Sequence, residues 1–123
     1  MYEDKNITRQ KCMAFSIRIY NLCKYLSEEK KEFILSKQIL KAGTSIGANL
    51  SEAKCAISTN DFLAKVYISY KECSETLYWL ELLNKVNLLT EKEFKSINKD
   101  AEEIIKLLSS TIITTKNKQD KKK

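Results

Sequence analysis

The sequence predicts an all-α protein, an antiparallel up-down-up-down bundle of four helices. Three observations carry that prediction. Apolar residues recur at steps of three and four in four successive stretches, the period of a single helix face. The 123 residues contain no Pro and only two Gly, Gly43 and Gly47, and neither Asn-Gly nor Asp-Gly occurs, so the turn chemistry that sheets need is missing. The breaks between the four stretches are short, and short connections make consecutive helices antiparallel neighbours.

The first helix is expected over residues 6–26, with Cys12, Phe15, Ile19, Leu22 and Leu26 on one stripe. Ser27-Glu28-Glu29 reads as a cap and an acidic first turn, opening a second helix over 28–55 with the stripe Leu35, Ile39, Ala42, Ile46, Asn49 and Ala53. Ile57-Ser58-Thr59-Asn60 breaks it. Ser58 or Thr59 then caps a third helix over 61–86, and Asp61, three residues after Ser58, makes an imperfect capping box. The third stripe is Phe62, Val66, Ser69, Cys73, Thr76, Leu80 and Leu83. After Asn87-Leu88-Leu89, Thr90 with Glu93 forms a full capping box. The fourth helix runs from there to about residue 115, along Phe94, Ile97, Ala101, Ile104, Leu108 and Ile112. One domain over residues 1–115 follows, a size that supports a continuous core. Residues 116–123 have no apolar anchor and are expected to be a disordered Lys-rich tail.

The formal net charge is +6, unevenly spread. The tail KNKQDKKK holds five Lys and one Asp, and residues 1–26 hold five basic and two acidic side chains. Of 22 basic residues only Arg9 and Arg18 are arginines. Lysine is a flexible point charge suited to phosphate and lacks the planar fork that reads guanine edges, so any nucleic-acid contact should be directed at the backbone. The competing reading is a Lys-rich surface that only keeps the chain soluble.

Several function classes are excluded by composition. With no His, neither Ser/His/Asp nor Cys/His catalysis is possible, and no Cys/His zinc spacing exists around Cys12, Cys23, Cys55 and Cys73. Glu72-x-x-Glu75 lacks the His partners of a di-iron bundle. Both glycines lie inside a helix rather than in a phosphate loop. The chain is therefore expected to be no enzyme and to carry no metal or cofactor. The longest uncharged run, Ala42 to Ser51, is too short for a membrane span. A charged N-terminus without an apolar signal core, and unpaired cysteines, point to the cytoplasm.

The second helix carries an unusual segment, KAGTSIGANLSEA at residues 41–53. Gly costs about 1 kcal/mol against Ala in a helix interior, so two of them leave a small-residue patch for close helix approach. Ser45, Asn49 and Glu52 share one face. With Glu75 of the third helix they read as a structural polar network that fixes register, the alternative being a ligand or partner site. Tyr67, Tyr70, Tyr78 and Trp79 cannot all face the apolar seam. They are candidates for a subunit interface, or else form a wide core face over the first or fourth helix.

Residues 41–83 resemble the four-helix bundle family encoded by intervening sequences in bacterial 23S ribosomal RNA genes, often labelled S23-like. The resemblance rests on Ser45, Ile46, Asn49, Glu52, Asp61, Phe62, Glu75, Thr76, Tyr78, Trp79 and Leu80. It extends, less closely, to the accessory variability proteins of diversity-generating retroelements. The resemblance implies an up-down-up-down bundle and a homo-oligomer, with a barrel-like pentamer as the form of structurally known relatives. It also implies basic relatives that bind nucleic acid. The function expected is a non-enzymatic homo-oligomer that binds RNA or DNA backbone. The candidate contacts are Arg9, Lys11, Arg18, Lys24, Lys116, Lys118, Lys121, Lys122 and Lys123. The alternative is a protein–protein adaptor that docks a partner on its third helix.

Overall fold

The computed structural model describes residues 2–121. Four helices account for nearly all of them: α1 (Tyr2–Glu28), α2 (Ile34–Ala53), α3 (Thr59–Lys85) and α4 (Glu91–Lys121). No strand occurs among the described residues. α1 packs on α2, α2 on α3 and α3 on α4, while α4 closes thinly back onto α1; the diagonal pairs bring no Cα atoms within 8 Å of each other.

Individual contacts fix the directions. Gly43 and Gly47 lie against Ile19 and Cys12, so numbers rise on α2 as they fall on α1. Ser69 donates to the Ile46 carbonyl and Lys65 to Glu52. Cys73 donates to the Ala101 carbonyl and Gln119 to Asn60. Arg18 bonds Asp100, and Lys11 pairs with Glu103. Every neighbouring pair is antiparallel, which gives the up-down-up-down order.

The interior follows the predicted stripes. Cys12, Phe15, Ile19, Leu26, Ile39, Ile46, Val66, Cys73, Leu80, Leu83, Ile104 and Leu108 are all buried. At the stripe margins a neighbour one residue along takes the inner place, since each helical step rotates by about 100°. Leu63 is buried where Phe62 is half-buried, Leu50 where Asn49 is, and Cys23 where Leu22 is.

Two predicted boundaries need correction. Ser27 does not cap α2. It stays in α1, where its Oγ donates to the Cys23 carbonyl at 2.9 Å, the back-bond open to any Ser inside a helix. The chain then turns through residues 29–33, with Lys31 at φ 53°, and Glu32 supplies the cap: its Oε1 accepts from the Ser36 amide at 3.0 Å. α4 also continues past residue 115. Nothing in 116–121 breaks a helix, and two contacts tie this segment to α3. Lys116 Nζ lies 5.2 Å from the Tyr67 ring centroid, and Gln119 donates to Asn60 Oδ1 at 2.7 Å. Residues 116–121 are thus helical rather than disordered; Lys122 and Lys123 lie outside the described residues.

The other caps sit as the sequence places them. Ser58 Oγ accepts from the Asp61 amide at 3.0 Å, while Asp61 Oδ2 reaches back to the Ile57 amide at 3.2 Å. Thr90 and Glu93 exchange both bonds of a capping box, at 2.9 and 3.1 Å. Among the described residues no helix is long and apolar enough to cross a membrane.

Candidate nucleic-acid interface

The antiparallel order puts the start of α1, the end of α2, the start of α3 and the end of α4 at one pole. Residues 2–14, 49–66 and 106–121 make up that pole. By sequence they hold nine basic residues (Lys5, Arg9, Lys11, Lys54, Lys65, Lys106, Lys116, Lys118, Lys121) against five acidic ones (Glu3, Asp4, Glu52, Asp61, Asp120), a net +4. The rest of the described span, residues 15–48 and 67–105, holds eleven basic and eleven acidic side chains and is neutral. The charge is polar along the bundle axis.

The expected contact residues divide accordingly. Arg9, Lys116, Lys118 and Lys121 stand at the pole. Lys11 stands there too but is paired with Glu103. Arg18 lies in mid-seam, where Nη1 donates to Asp100 at 2.7 Å and Nη2 to Ser96 Oγ at 3.1 Å. With Lys11 it clasps α1 to α4 across the thinnest joint of the bundle. Lys24 is exposed in the neutral half. Lys54 and Lys106, both exposed, join the pole although neither belongs to the first helix or the tail. Only the antiparallel topology could have found them in the sequence. Lys65 is drawn onto Glu52 at 3.0 Å, and that hydrogen bond raises its pKa.

The polar segment of α2 does not form one network. Ser45 Oγ donates to the Lys41 carbonyl at 2.6 Å, and Asn49 Nδ2 to the Ser45 carbonyl at 2.8 Å. Glu52 pairs with Lys65, and Glu75 Oε2 accepts from Trp79 Nε1 at 3.0 Å. Ser45, Asn49 and Glu75 each find a partner within their own helix and Glu52 finds Lys65 on α3, so no side-chain network links the four. Asn49 is half-buried, and its Nδ2 donates to the Ser45 carbonyl one turn back on α2 rather than to a group on α3. The buried polar tie between α2 and α3 is the 2.7 Å bond from Ser69 Oγ to the Ile46 carbonyl. The small residues serve packing: a Cβ on Gly43 would sit 2.8 Å from Ile19 Cγ1, and one on Gly47 would sit 3.2 Å from Cys12 Cβ.

The aromatic set divides as well. Tyr70 and Trp79 are half-buried against the core, while Tyr67 and Tyr78 are exposed, Tyr78 standing edge-on to Trp79 at 5.2 Å. Glu72 is raised by burial and by Glu75, with Lys41 and Lys71 opposing. No group of three or more potential metal ligands gathers among the described residues. A groove between α1 and α4 is floored by Leu22, Leu89 and Ile97. Two polar groups at its rim are committed elsewhere, Arg18 to Asp100 and Glu93 to its capping box.

Fold and surface together define a helical bundle protein whose distinctive feature is a cationic pole. The chain belongs to the 23S rRNA-intervening sequence protein family, whose family model matches residues 4–110. It is also similar to a crystal structure of a protein with unknown function from the S23 ribosomal protein family of Bacteroides thetaiotaomicron, at 50% identity and a TM-score of 0.88. That match covers 89% of this chain and 97% of the other. No curated protein matches the chain.

Proposed function

We propose that the protein is a non-enzymatic homo-oligomeric bundle of the cytoplasm that binds the RNA or DNA backbone through its cationic pole. The gathering of a net +4 at one end of an otherwise neutral bundle carries this reading. The pole is built from lysines and a single arginine, Arg9, a set that neutralises phosphates without reading base edges. Several copies would present several poles to one strand and convert weak sites into useful avidity. The test is fluorescence anisotropy of the full chain with an rRNA-like hairpin and with duplex DNA, as a function of salt. Each phosphate neutralised adds about 0.9 to the log–log salt slope, so a slope of several units is expected. Absence of binding at low salt ends the proposal. A second reading, a protein adaptor that docks its partner on α3, is favoured by Tyr78, which is 61% exposed. It predicts no nucleic-acid binding and a partner lost on Tyr78→Ala.

A further inference from the structure

The turn between α2 and α3 lies at the cationic pole, and its composition is unusual. Turns are normally made of Gly, Pro, Asn, Asp and Ser. Here Lys54 is followed by three apolar residues, Cys55, Ala56 and Ile57. Cys55 is exposed and Ala56 half-buried, while Ile57, at 94% exposure, is the most exposed large apolar side chain among the described residues. A run of apolar side chains facing water has no place in a turn unless it serves a contact.

The helix that follows does not supply that contact. Ile57 directly precedes Ser58, the N-cap of α3, and an apolar residue there commonly packs on the one five positions later, a hydrophobic staple that fixes the entry of the chain. That partner would be Phe62. A side chain 94% exposed makes no such contact. Nor is the turn loose. The Cys55 amide donates to the Glu52 carbonyl at 3.0 Å, the Ala56 amide to the Ala53 carbonyl at 3.1 Å and the Ile57 amide to Asp61 Oδ2 at 3.2 Å. Every amide of the apolar run is tied to the fold, and Ile57 is held outward. Its surroundings are cationic. Lys54 lies three residues before it, and the bond from Gln119 to Asn60 sets the last turn of α4, with Lys118 and Lys121, beside the start of α3. Two acids of the pole are already engaged, Glu52 by Lys65 and Asp61 by the Ile57 amide.

We infer that Ile57 is a wedge: when the lysines of the pole seat on phosphates, this side chain enters the adjoining stack of bases, so that the protein selects helical RNA or DNA whose stacking is interrupted by a bulge. Architectural proteins use Ile, Leu, Phe and Met side chains in this way, parting a base step at the cost of its stacking. A bulge has already lost part of that stacking and opens more readily. Selection of this kind reads deformability rather than base edges, which suits a pole built from lysine. A bilayer is the poorer match, because membrane-seated helices present a broad apolar face, whereas this tip offers one large side chain. The inference rests on the nucleic-acid binding proposed above and names the class of nucleic acid bound.

The full chain is titrated at low salt with two short duplexes of matched length, one continuous and one carrying a single-base bulge, each as RNA and as DNA. The wild type should bind the bulged form about tenfold tighter in at least one of the two chemistries. Ile57→Ser should abolish that preference, while its salt slope, its affinity for the continuous duplex and its helical circular dichroism stay as in the wild type. Ile57→Leu, which keeps an apolar side chain of the same size, should retain the preference. Equal affinity of the wild type for both duplexes, or a preference that survives Ile57→Ser, overturns the wedge and leaves phosphate binding standing. Absence of binding to any duplex overturns both. If the preference is absent and phosphatidylserine vesicles cosediment the wild type but not Ile57→Ser, the tip belongs to a bilayer and the wedge is overturned.

Discussion

The four cysteines show how much the environment of a single side chain decides. Cys12 and Cys73 are fully buried, and burial pushes both thiols up to about 12; Cys23, a little less enclosed, rises to about 11. Cys55 is exposed at the α2–α3 turn. Cys12 and Cys73 sit on diagonal helices whose Cα atoms stay more than 8 Å apart. A disulfide needs about 4.4–6.8 Å, so the two thiols cannot pair without unpacking the core. Iodoacetamide on the native protein should modify Cys55 and leave the other three, with all four reacting in denaturant; mass spectrometry counts the adducts. Native labelling of Cys12 or Cys73 would contradict the packing. The same burial sets a pH dependence. Unfolded thiols ionise near 9.0, whereas the folded ones hold their protons to about 11 or 12. The folded state then binds more protons above pH 9, so stability is fully present below that value and is lost as pH rises through the interval to about 12. Denaturation midpoints at pH 9 and pH 11 should fall with pH, and Cys73→Ala should flatten the fall. An unchanged slope in that variant would refute the assignment.

At the scale of elements, α1 lies close against α2 at the two glycines. Gly43→Ala gains about 1 kcal/mol of helix propensity, yet the new methyl group would sit 2.8 Å from Ile19 Cγ1 and 2.9 Å from its Cγ2. Ile19 is β-branched, stiff and fully buried, so the backbones must separate, at a cost of about 1–3 kcal/mol. Gly47→Ala meets Cys12 Cβ at 3.2 Å, which asks for a shift of only a few tenths of an ångström. Urea unfolding should show Gly43→Ala destabilised and Gly47→Ala near wild type; the reverse order would mean that α1 sits elsewhere on α2. The caps are the second determinant. Thr90→Ala should cost about 0.5–2 kcal/mol, because Thr90 accepts from the Glu93 amide and its own amide is bonded by the Glu93 carboxylate. Those bonds hold the Glu93 pKa below the ordinary carboxylate range.

These elements also show what the sequence could convey. Stripes and capping boxes are local signals, and Thr90/Glu93 reads directly from its spacing. Ser27 misled because a Ser can bond the carbonyl four residues back as readily as cap a helix, and only the position of the turn decides between them. Asn49 misled for the same reason: the Ser45 carbonyl satisfies it without help from α3.

For the whole molecule, topology rearranges the charge that the sequence displays. Read along the chain, the excess of basic over acidic residues lies in the first helix and the last eight positions. Folded, the first-helix set breaks up: Lys11 and Arg18 pair with Glu103 and Asp100 across the α1–α4 seam, and Lys24 falls in the neutral half. Lys54 and Lys106, unremarkable in sequence, enter the cationic pole because α2 ends there and α4 passes through it. This gives the pole its sharpest test. If phosphate is bound at the pole, Lys54→Gln with Lys106→Gln removes two contacts and should lower the salt slope by about 1.8. Lys24→Gln, which removes the same charge per residue from the same chain, should leave the slope unchanged. Counted by net charge alone, the three substitutions would act alike, each weakening binding in proportion. Equal effects per lysine would therefore mean that nucleic acid feels the total charge of the protein and not its arrangement. A loss confined to Lys54 and Lys106 would tie binding to the end of the bundle where the antiparallel helices bring their charges together.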